Sequence, residues 1–228
     1  GGSAVQSDLP ANQILAGTDT SGAAGNGRND GHGHGTHVAG TIVASVGNGI
    51  GTAGLAPAVS IIPVKVLSDS GSGSSVGVAN GIRWATDNGA DIISMSLGGG
   101  YSSTIAVQVA YAIQNGVTVI AAAGNERAQG SPASYPAALP GVLAVAATDS
   151  NNNVANFSNA GSYVDISAPG VGIWSTLPNN TYAAWSGTSM ATPHVSAVAA
   201  LVLSRAAEQH VAVSVDMLLT GSATDLGV

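Results

Sequence analysis

Hydrophobic and polar positions along this chain follow first a helical and then a strand-like pattern. From His34 onward apolar residues recur at every fourth position, at Val38, Ile42 and Val46, and this spacing predicts an amphipathic helix. The β-branched run at 59–67 (VSIIPVKVL) predicts a buried strand. The stretch before His34 is rich in Gly, Ser, Asn and Asp and has no strong period, so we expect loop there, with a short strand near NQILAG.

Helical and strand-like segments alternate over the rest of the chain. Further helices are predicted at 76–89, 104–116, 189–206 and 214–223, and further strands at 90–100, 117–126 and 141–150. Buried strands separated by such helices form right-handed βαβ units around a parallel sheet. We therefore predict an α/β fold, a three-layer α/β/α sandwich with a mainly parallel sheet. Because ligands bind beyond the carboxyl ends of such strands, the polar loops SLGGG and AAAGNE are candidate site loops.

Composition narrows the class of protein. With 228 residues, of which 45% are hydrophobic and 7% charged, the chain can form one sizeable core, and we expect a single domain over 1–228. The net charge of −7, with Lys65 the only lysine, argues against nucleic acid as a partner. No apolar run is long enough to cross a bilayer, so we expect no membrane partner. The absence of cysteine excludes thiol catalysis, cysteine-bound zinc and disulfides.

The stretch GTSMATPH places Ser189 at the start of a predicted helix, two residues after Gly187. One interpretation is a nucleophile, because the unpaired N–H groups of a helix N-terminus can face a developing oxyanion. The other is a serine that caps the helix, which needs the same geometry. This stretch by itself is compatible with both.

The stretch GHGHGTHVAG brings together three histidines, His32, His34 and His37. His34 and His37 lie three positions apart and share one face of a helix for a turn. A zinc site would need a further ligand, such as the Glu of H-E-x-x-H, and the stretch holds none. His34, flanked by glycines at a helix start, can present its ring to a cleft. The alternatives are surface histidines in a glycine loop and, for His37, a hydrogen-bonded and partly buried structural residue.

Taken together, these motifs resemble those of the subtilisin-like serine proteases, the subtilases of peptidase family S8. GHGTHVAGTI around His34 and GTSMATPHVSAVAALV around Ser189 are similar to the family's histidine and serine boxes. SMSLGG, VIAAAGNE and SAPG also match, in the family's order and at its approximate spacings, over nearly the whole chain. The resemblance implies a subtilisin-like fold and a secreted, extracellular serine endopeptidase that hydrolyses peptide bonds through an acyl-enzyme.

The resemblance also implies roles for individual residues. His34 matches the general base and Ser189 the nucleophile. Asn125 matches the side-chain donor of the oxyanion hole, beside the backbone N–H of Ser189; the alternative for Asn125 is an ordinary turn residue. His37 matches a structural position, and His194 matches a position that is not catalytic.

Three short segments are implied to bind substrate: Gly71, Ser72 and Gly73; Ser96, Leu97 and Gly98; and Ala122, Ala123 and Gly124. The first resembles the edge that pairs with an extended substrate backbone. The other two resemble opposite walls of the primary pocket. Small residues there predict broad selectivity with a preference for large uncharged P1 side chains, and Glu126 at the rim could admit a basic one.

A calcium site and a cis peptide bond are implied by the same resemblance. The calcium ligands would be the Asp8 carboxylate, the Asn48 side-chain oxygen and the carbonyls of Val46, Ile50 and Thr52. Such all-oxygen ligation suits calcium. The alternative is a solvated aspartate beside a glycine turn. The Tyr135–Pro136 segment resembles one that carries a cis bond in the family.

One family motif has no counterpart in this sequence. The family's catalytic aspartate ends a buried strand well before the histidine box, and no apolar strand precedes residue 8. Alignment of 7–9 (SDL) to its family counterpart puts that aspartate just before Gly1, and TDLG falls short of the family's last strand and helix. We therefore expect a catalytic domain that is incomplete at both ends, with its first strand or strands missing. Asp30, four residues before His34, is the main alternative for the missing carboxylate, ahead of the loop residues Asp8 and Asp19.

Two other functions are compatible with parts of the sequence. A catalytically inactive binding module would explain the absent aspartate, but the intact serine and oxyanion motifs argue against it. A serine esterase or lipase should carry G-x-S-x-G with its histidine late in the chain, whereas here the histidine comes first and the motif is G-T-S-M-A. We expect protein or peptide substrates, an N-terminal propeptide in the precursor, and a monomer.

Overall fold

A computed structural model describes residues 6–22 and 25–226. Its helices are α1 (His34–Val43), α2 (Ser75–Asp87), α3 (Ser103–Gln114), α4 (Thr188–Gln209) and α5 (Val215–Ser222). Its strands are β1 (Thr18–Asp19), β2 (Val64–Lys65), β3 (Ile92–Met95), β4 (Thr118–Ala122), β5 (Val142–Thr148), β6 (Ile166–Pro169), β7 (Ile173–Leu177) and β8 (Thr181–Trp185), with one 3₁₀ turn at Arg127–Gln129. The mainly parallel pairing of these strands and their alternation with helices confirm the predicted α/β class.

The chain divides into two compact units, each built from separate segments of sequence. The first comprises 1–90, 102–117 and 174–184, and the second comprises 91–101, 118–173 and 185–228. The expectation of a single domain over 1–228 stays a prediction.

A four-stranded parallel sheet, in the order β3-β4-β5-β6, forms the centre of the second unit. All seven residues of β5 are buried, because neighbouring strands flank it and α4 packs across the sheet. Ala191, Val195 and Ala199 of α4 share one apolar cluster with Ile120 and Val145 of the sheet. The loops that follow β3 and β4 leave the same edge of the sheet, as predicted for SLGGG and AAAGNE.

Two helices packed against each other, α2 and α3, dominate the first unit. Ser74 caps α2 by accepting a hydrogen bond from the N–H of Gly77, and Ser102 caps α3 in the same way. Both helices end where predicted, because Gly89 and Gly116 adopt left-handed φ angles of 79° and 80°. The unit also holds the parallel pair β1–β2 and most of the hairpin β7–β8.

The strand predicted at 59–67 is much shorter in the structure. Only Val64 and Lys65 form regular pairing, and the residues there are only partly buried. Pro63 has no N–H to donate, so its carbonyl accepts from Thr18 but the ladder does not extend through it. The short strand expected near NQILAG is one isolated bridge between Ile14 and Ile61.

The four-residue apolar period overestimates the length of the first helix. Helix α1 ends at Val43, and Val46 lies beyond it with 61% of its surface exposed. The backbone leaves the helical path at Ala44, which has a ψ of 141°, and the N–H of Ser45 then donates to the carbonyl of Asp8. The hairpin β7–β8 and strand β6 have no counterpart among the predicted elements.

Candidate active site

Ser189 lies in the first turn of α4, in the second unit. The helix begins at Thr188 with Gly187 at its N-cap, and Ser189 does not cap it. The Ser189 hydroxyl instead donates to the carbonyl of Ser96 at 3.3 Å, and the Ser96 hydroxyl donates to the carbonyl of Ser189 at 2.8 Å. The capping interpretation is therefore wrong, and a half-buried hydroxyl is presented at the helix N-terminus.

A hydrogen-bond network sets the orientation of the Asn125 amide. Its Oδ1 accepts from the Thr188 N–H at 2.9 Å and from the Thr188 hydroxyl at 3.0 Å. The Thr188 hydroxyl oxygen in turn accepts from the N–H of Gly124 at 3.2 Å. Because these donors take the amide oxygen, the Asn125 NH₂ group is directed away from Thr188. A Cβ built on Gly187 would lie 3.7 Å from each of Asn125 Nδ2, Met190 Sδ and the backbone nitrogen of Ser189, so the two nitrogen atoms lie near each other beside Gly187.

The loop after β4 is held by Glu126 and the fully buried Asn159. The Glu126 carboxylate accepts from the Asn125 N–H at 2.8 Å, while Asn159 Oδ1 accepts from the Glu126 N–H at 2.7 Å. Asn159 Nδ2 donates to the carbonyls of Ala123 and Pro132, each at 3.1 Å, and to Glu126 Oε2 at 3.1 Å. One side-chain amide thus fixes the backbone on both sides of the Asn125 loop.

Of the two predicted pocket walls, Ser96–Gly98 directly follows β3, and Ala122–Gly124 begins at the last residue of the neighbouring strand β4. The two alanines are buried, with 3% and 0% of their surface exposed, so backbone atoms form most of that wall. A Cβ on Gly98 would lie 2.3 Å from Ser134 Oγ, which explains the glycine there. Gly124 has a left-handed φ of 104°, which disfavours any larger residue.

Tyr135 joins the wall that follows β3 to the next segment of the chain. It pairs with Gly99 in an antiparallel bridge of two backbone hydrogen bonds of 2.9 Å. Its ring meets that of Tyr101 edge-on at 5.2 Å between centroids. The Tyr135–Pro136 bond is cis, as the family resemblance implies.

His34 is the first residue of α1, in the first unit, and Asp30 caps that helix start. One Asp30 oxygen accepts from the N–H groups of His32 and Gly33 at 3.1 and 2.7 Å. The other accepts from the Thr36 N–H and hydroxyl at 2.8 and 2.7 Å. Burial alone would raise the pKa of Asp30, but these hydrogen bonds outweigh it and lower the pKa. Both carboxylate oxygens therefore accept hydrogen bonds from the helix start, which argues against Asp30 as the carboxylate partner of His34.

The half-buried imidazole of His34 has a pKa below its ordinary value of 6.5. Burial is the largest cause, because it penalises the charged ring, and positive charge on His32 acts in the same direction. The Asp30 carboxylate opposes this lowering, and His37 adds to it weakly. The lowered pKa favours the neutral form of the His34 ring, which is the form that can accept a proton.

The structure places His37 and His194 in supporting roles. His37 is fully buried, its Nε2 donates to the Ala183 carbonyl at 3.2 Å, and its own carbonyl accepts from the Ser175 hydroxyl at 2.7 Å. His194 Nδ1 donates to the carbonyl of Met190, one turn earlier in α4, at 2.8 Å. Both imidazole rings therefore make hydrogen bonds to backbone carbonyl groups.

The predicted substrate edge Gly71–Gly73 is an exposed turn in the first unit. Ser68 donates its N–H to the Ser72 carbonyl at 2.8 Å and accepts from the Gly71 N–H at 2.9 Å. A Cβ on Gly71 would lie 3.0 Å from the Nε2 of His32, so this turn approaches the histidine loop closely.

Asp8 is fully buried, and two of the other residues predicted to bind calcium, Asn48 and Thr52, donate to its carboxylate. Asp8 accepts from the Asn48 side-chain NH₂ at 2.7 Å and from the Thr52 N–H at 3.0 Å, and Asn48 Oδ1 accepts from the Ile50 N–H at 3.1 Å. In this arrangement Asn48 presents nitrogen, not oxygen, to the carboxylate. A calcium ion would fit only after the Asn48 amide turns over. Among the described residues, no group of three or more His, Asp or Glu side chains is placed to hold a metal.

Two residues of this site, Thr188 and Asn159, were not predicted from the sequence. Thr188 directly precedes the candidate serine, and a hydroxyl in that position is a signal that could have pointed to it. Asn159 lies far along the chain in FSNAGS, a stretch without a motif of its own. Only the folded backbone brings its amide to the loop that carries Asn125.

A parallel α/β fold with a helix-terminal serine beside an oriented amide is an arrangement that serine hydrolases use. The model of the subtilase family, Peptidase_S8, matches residues 6–228. The chain therefore belongs to the subtilase family, and it is a subtilisin-like serine endopeptidase by class. This result confirms the family predicted from the motifs, and it argues against an esterase or lipase.

Individual relatives agree with this assignment. Subtilisin DY of Bacillus licheniformis is 50% identical over 203 residues, which cover 87% of this chain and 73% of that protein. Subtilisin E of Bacillus subtilis (strain 168) is 53% identical over 179 residues, which cover 77% of this chain and 47% of that protein. The solved structure of sphericase matches with a TM-score of 0.84 at 39% identity, covering 97% of this chain and 79% of that one.

Proposed function

We propose that this protein cleaves peptide bonds through an acyl-enzyme on Ser189, with His34 as general base. The observation that carries the proposal is that Asn125 Nδ2 and the Ser189 backbone nitrogen lie near each other beside Gly187, at the start of the helix that holds Ser189. Two N–H donors around one point form a site for the oxygen of a tetrahedral intermediate. Loss of the equivalent side-chain donor in subtilisin lowers kcat by about 10²- to 10³-fold.

The proton balance follows from these assignments. His34 accepts the Ser189 hydroxyl proton while Oγ bonds to the carbonyl carbon, and the carbonyl electrons move onto its oxygen. The charged imidazole then gives its proton to the leaving amine as the C–N bond breaks. Water repeats both steps on the acyl-enzyme and restores the serine. The charged His34 also needs a carboxylate partner that stabilises it and holds the ring in the correct tautomer.

A fluorophosphonate probe tests the nucleophile directly in the full-length protein. We expect one adduct, located by mass spectrometry on Ser189 and absent from Ser189→Ala. Ser96→Ala is the matched control, because Ser96 exchanges hydrogen bonds with Ser189 but should not be labelled itself. A protein that binds peptides without forming the adduct would instead be an inactive binding module.

The proposed specificity is broad, with a preference for large uncharged P1 side chains. It is supported by the small residues of one wall, Ala122, Ala123 and Gly124, whose backbone can approach a substrate closely. The Glu126 carboxylate is engaged by the Asn125 N–H and Asn159, so a basic P1 residue would compete with those bonds. A peptide library cleaved only after small or acidic residues would contradict the proposal.

Calcium binding at Asp8 is also proposed. The donors that the structure gives Asp8 are neutral, and a buried carboxylate without a positive partner is costly. Calcium held by Asp8, the turned-over Asn48 oxygen and the carbonyls of Val46, Ile50 and Thr52 would supply that charge. We expect calcium to raise Tm relative to EDTA, and Asp8→Asn to abolish the difference. An equal Tm in calcium and EDTA would contradict the site.

An extracellular location, a monomeric state and an N-terminal propeptide are proposed on the same family basis. The helices of the described part of the chain include none that is long and apolar enough to cross a membrane. Secretion by the source cells and sedimentation of the purified protein test the location and the monomeric state.

A further inference from the structure

A second imidazole lies beside the proposed base. The rings of His32 and His34 meet edge-on, with centroids 6.2 Å apart and an interplanar angle of 73°. His32 is exposed, and its contribution to the helix cap comes from its backbone N–H, which donates to Asp30. The His32 side chain can therefore be replaced without removing a hydrogen bond that holds the loop.

Charged and titratable groups reach this pair from the other segments packed around it. Asp69 accepts from the Gly31 N–H at 3.2 Å and forms an ion pair with Lys65 at 2.9 Å, so its charge is shared between Lys65 and the histidine loop. Asp30 lies under the helix start, and His37 is on the same helix as His34. Gly71 leaves room for the His32 ring, since a Cβ there would lie 3.0 Å from Nε2.

We propose that His32 is a positioning residue for the reaction, which acts through His34 by placing a second protonatable ring against the base. When His32 takes up a proton, its positive charge opposes a second positive charge on His34. His34 then stays in its proton-accepting form to lower pH than it would alone. The proposal rests on the proposed role of His34 as the base, and it accords with the direction of the His34 pKa.

A charge series at position 32 tests this inference in the full-length protein. The pKa of His34, read from its ring protons by NMR titration, should rise in the order His32→Lys, wild type, His32→Gln and His32→Glu. We expect a difference on the order of 0.5 pH unit between wild type and His32→Gln, which should shrink in 1 M salt. The acid limb of kcat/KM should move by the same amount, so His32→Gln loses about threefold in activity at acid pH and little at neutral pH.

A control variant and the combined NMR and activity results distinguish the role of His32 from the proposed peptidase function. His210→Asn removes an exposed imidazole at the end of α4 and should leave the His34 titration unchanged. A His34 pKa equal to that of wild type in the Lys, Gln and Glu variants would overturn the role of His32. A shift from wild type of the same size and sign in all three would overturn it too, because it would show a merely structural effect. If instead NMR shows the ordered shifts and the protein has no peptidase activity or probe adduct, the proposed function fails and the electrostatic coupling stands.

Discussion

The Asn125 side chain illustrates how one neighbouring residue decides the chemistry of another. An asparagine amide can present oxygen or nitrogen, and only the nitrogen can stabilise an oxyanion. Thr188 takes the oxygen with two donors, at 2.9 and 3.0 Å, and so leaves the nitrogen facing the space beside Ser189. The hydroxyl of Thr188 is therefore expected to matter for turnover, although it need not touch the substrate.

Substitution of Thr188 tests this arrangement. Thr188→Val removes the hydroxyl but keeps the backbone N–H bond to Asn125, so we expect kcat to fall about tenfold with little change in KM. The Gly124 N–H also loses its acceptor, which should lower the free energy of unfolding by about 1 kcal/mol. Thr188→Ser keeps the hydroxyl and should restore most of kcat. Equal kcat values for the Val and Ser variants would contradict the role of this network.

Two glycines of helix α1 differ in how much room their surroundings leave for a side chain. Gly40 faces the hairpin strand β7, where a Cβ would lie 2.1 Å from Thr176 Oγ1 and 2.5 Å from Ser175 Oγ. At Gly35 a Cβ would meet only Asp30 Oδ2, at an ordinary contact distance of 3.6 Å. The helix therefore needs a glycine at one position and merely tolerates it at the other.

Alanine at these two positions is a matched test. Gly40→Ala forces buried side chains apart and should lower the free energy of unfolding by about 2 kcal/mol. Gly35→Ala should raise it by up to about 1 kcal/mol, because alanine favours the helix. Urea denaturation of both variants measures the difference. A neutral Gly40→Ala would mean that β7 does not approach the helix as closely as described.

At the scale of the whole molecule, stability should depend on histidines that the fold keeps neutral. Burial lowers the pKa of His34 in one unit and of His194 in the other, and the Met190 hydrogen bond opposes the shift of His194 only in part. In the unfolded chain these rings titrate near their ordinary value of 6.5. Below that pH the unfolded state binds more protons than the folded state, so acid favours unfolding.

The free energy of unfolding should therefore fall as the pH is lowered through 6.5 toward the depressed folded-state values. Urea denaturation between pH 8 and pH 5 measures this dependence. His194→Gln should flatten the curve in that range. His210→Asn, at the exposed end of α4, serves as the control and should not flatten it. A stability that rises on acidification would contradict the expected sign.

Local sequence determined much of this protein. The boxes around His34 and Ser189 identified the family, and the alternation of helical and strand-like runs predicted a parallel sheet with site loops at its carboxyl edge. The ends of α2 and α3 also followed from sequence, because Gly89 and Gly116 adopt left-handed conformations that other residues disfavour. These features depend on neighbours within a few residues, so they are readable along the chain.

Tertiary structure alone decided the rest. Val46 continues the apolar period yet lies outside α1, since contact with the Asp8 segment turns the chain away. Asn125 and Thr188 are 63 positions apart, and Asn159 reaches Glu126 over 33 positions, so no local pattern could show which amide atom each would present. The direction of a side-chain dipole is set by the donors and acceptors that the fold brings to it, and those come from distant parts of the sequence.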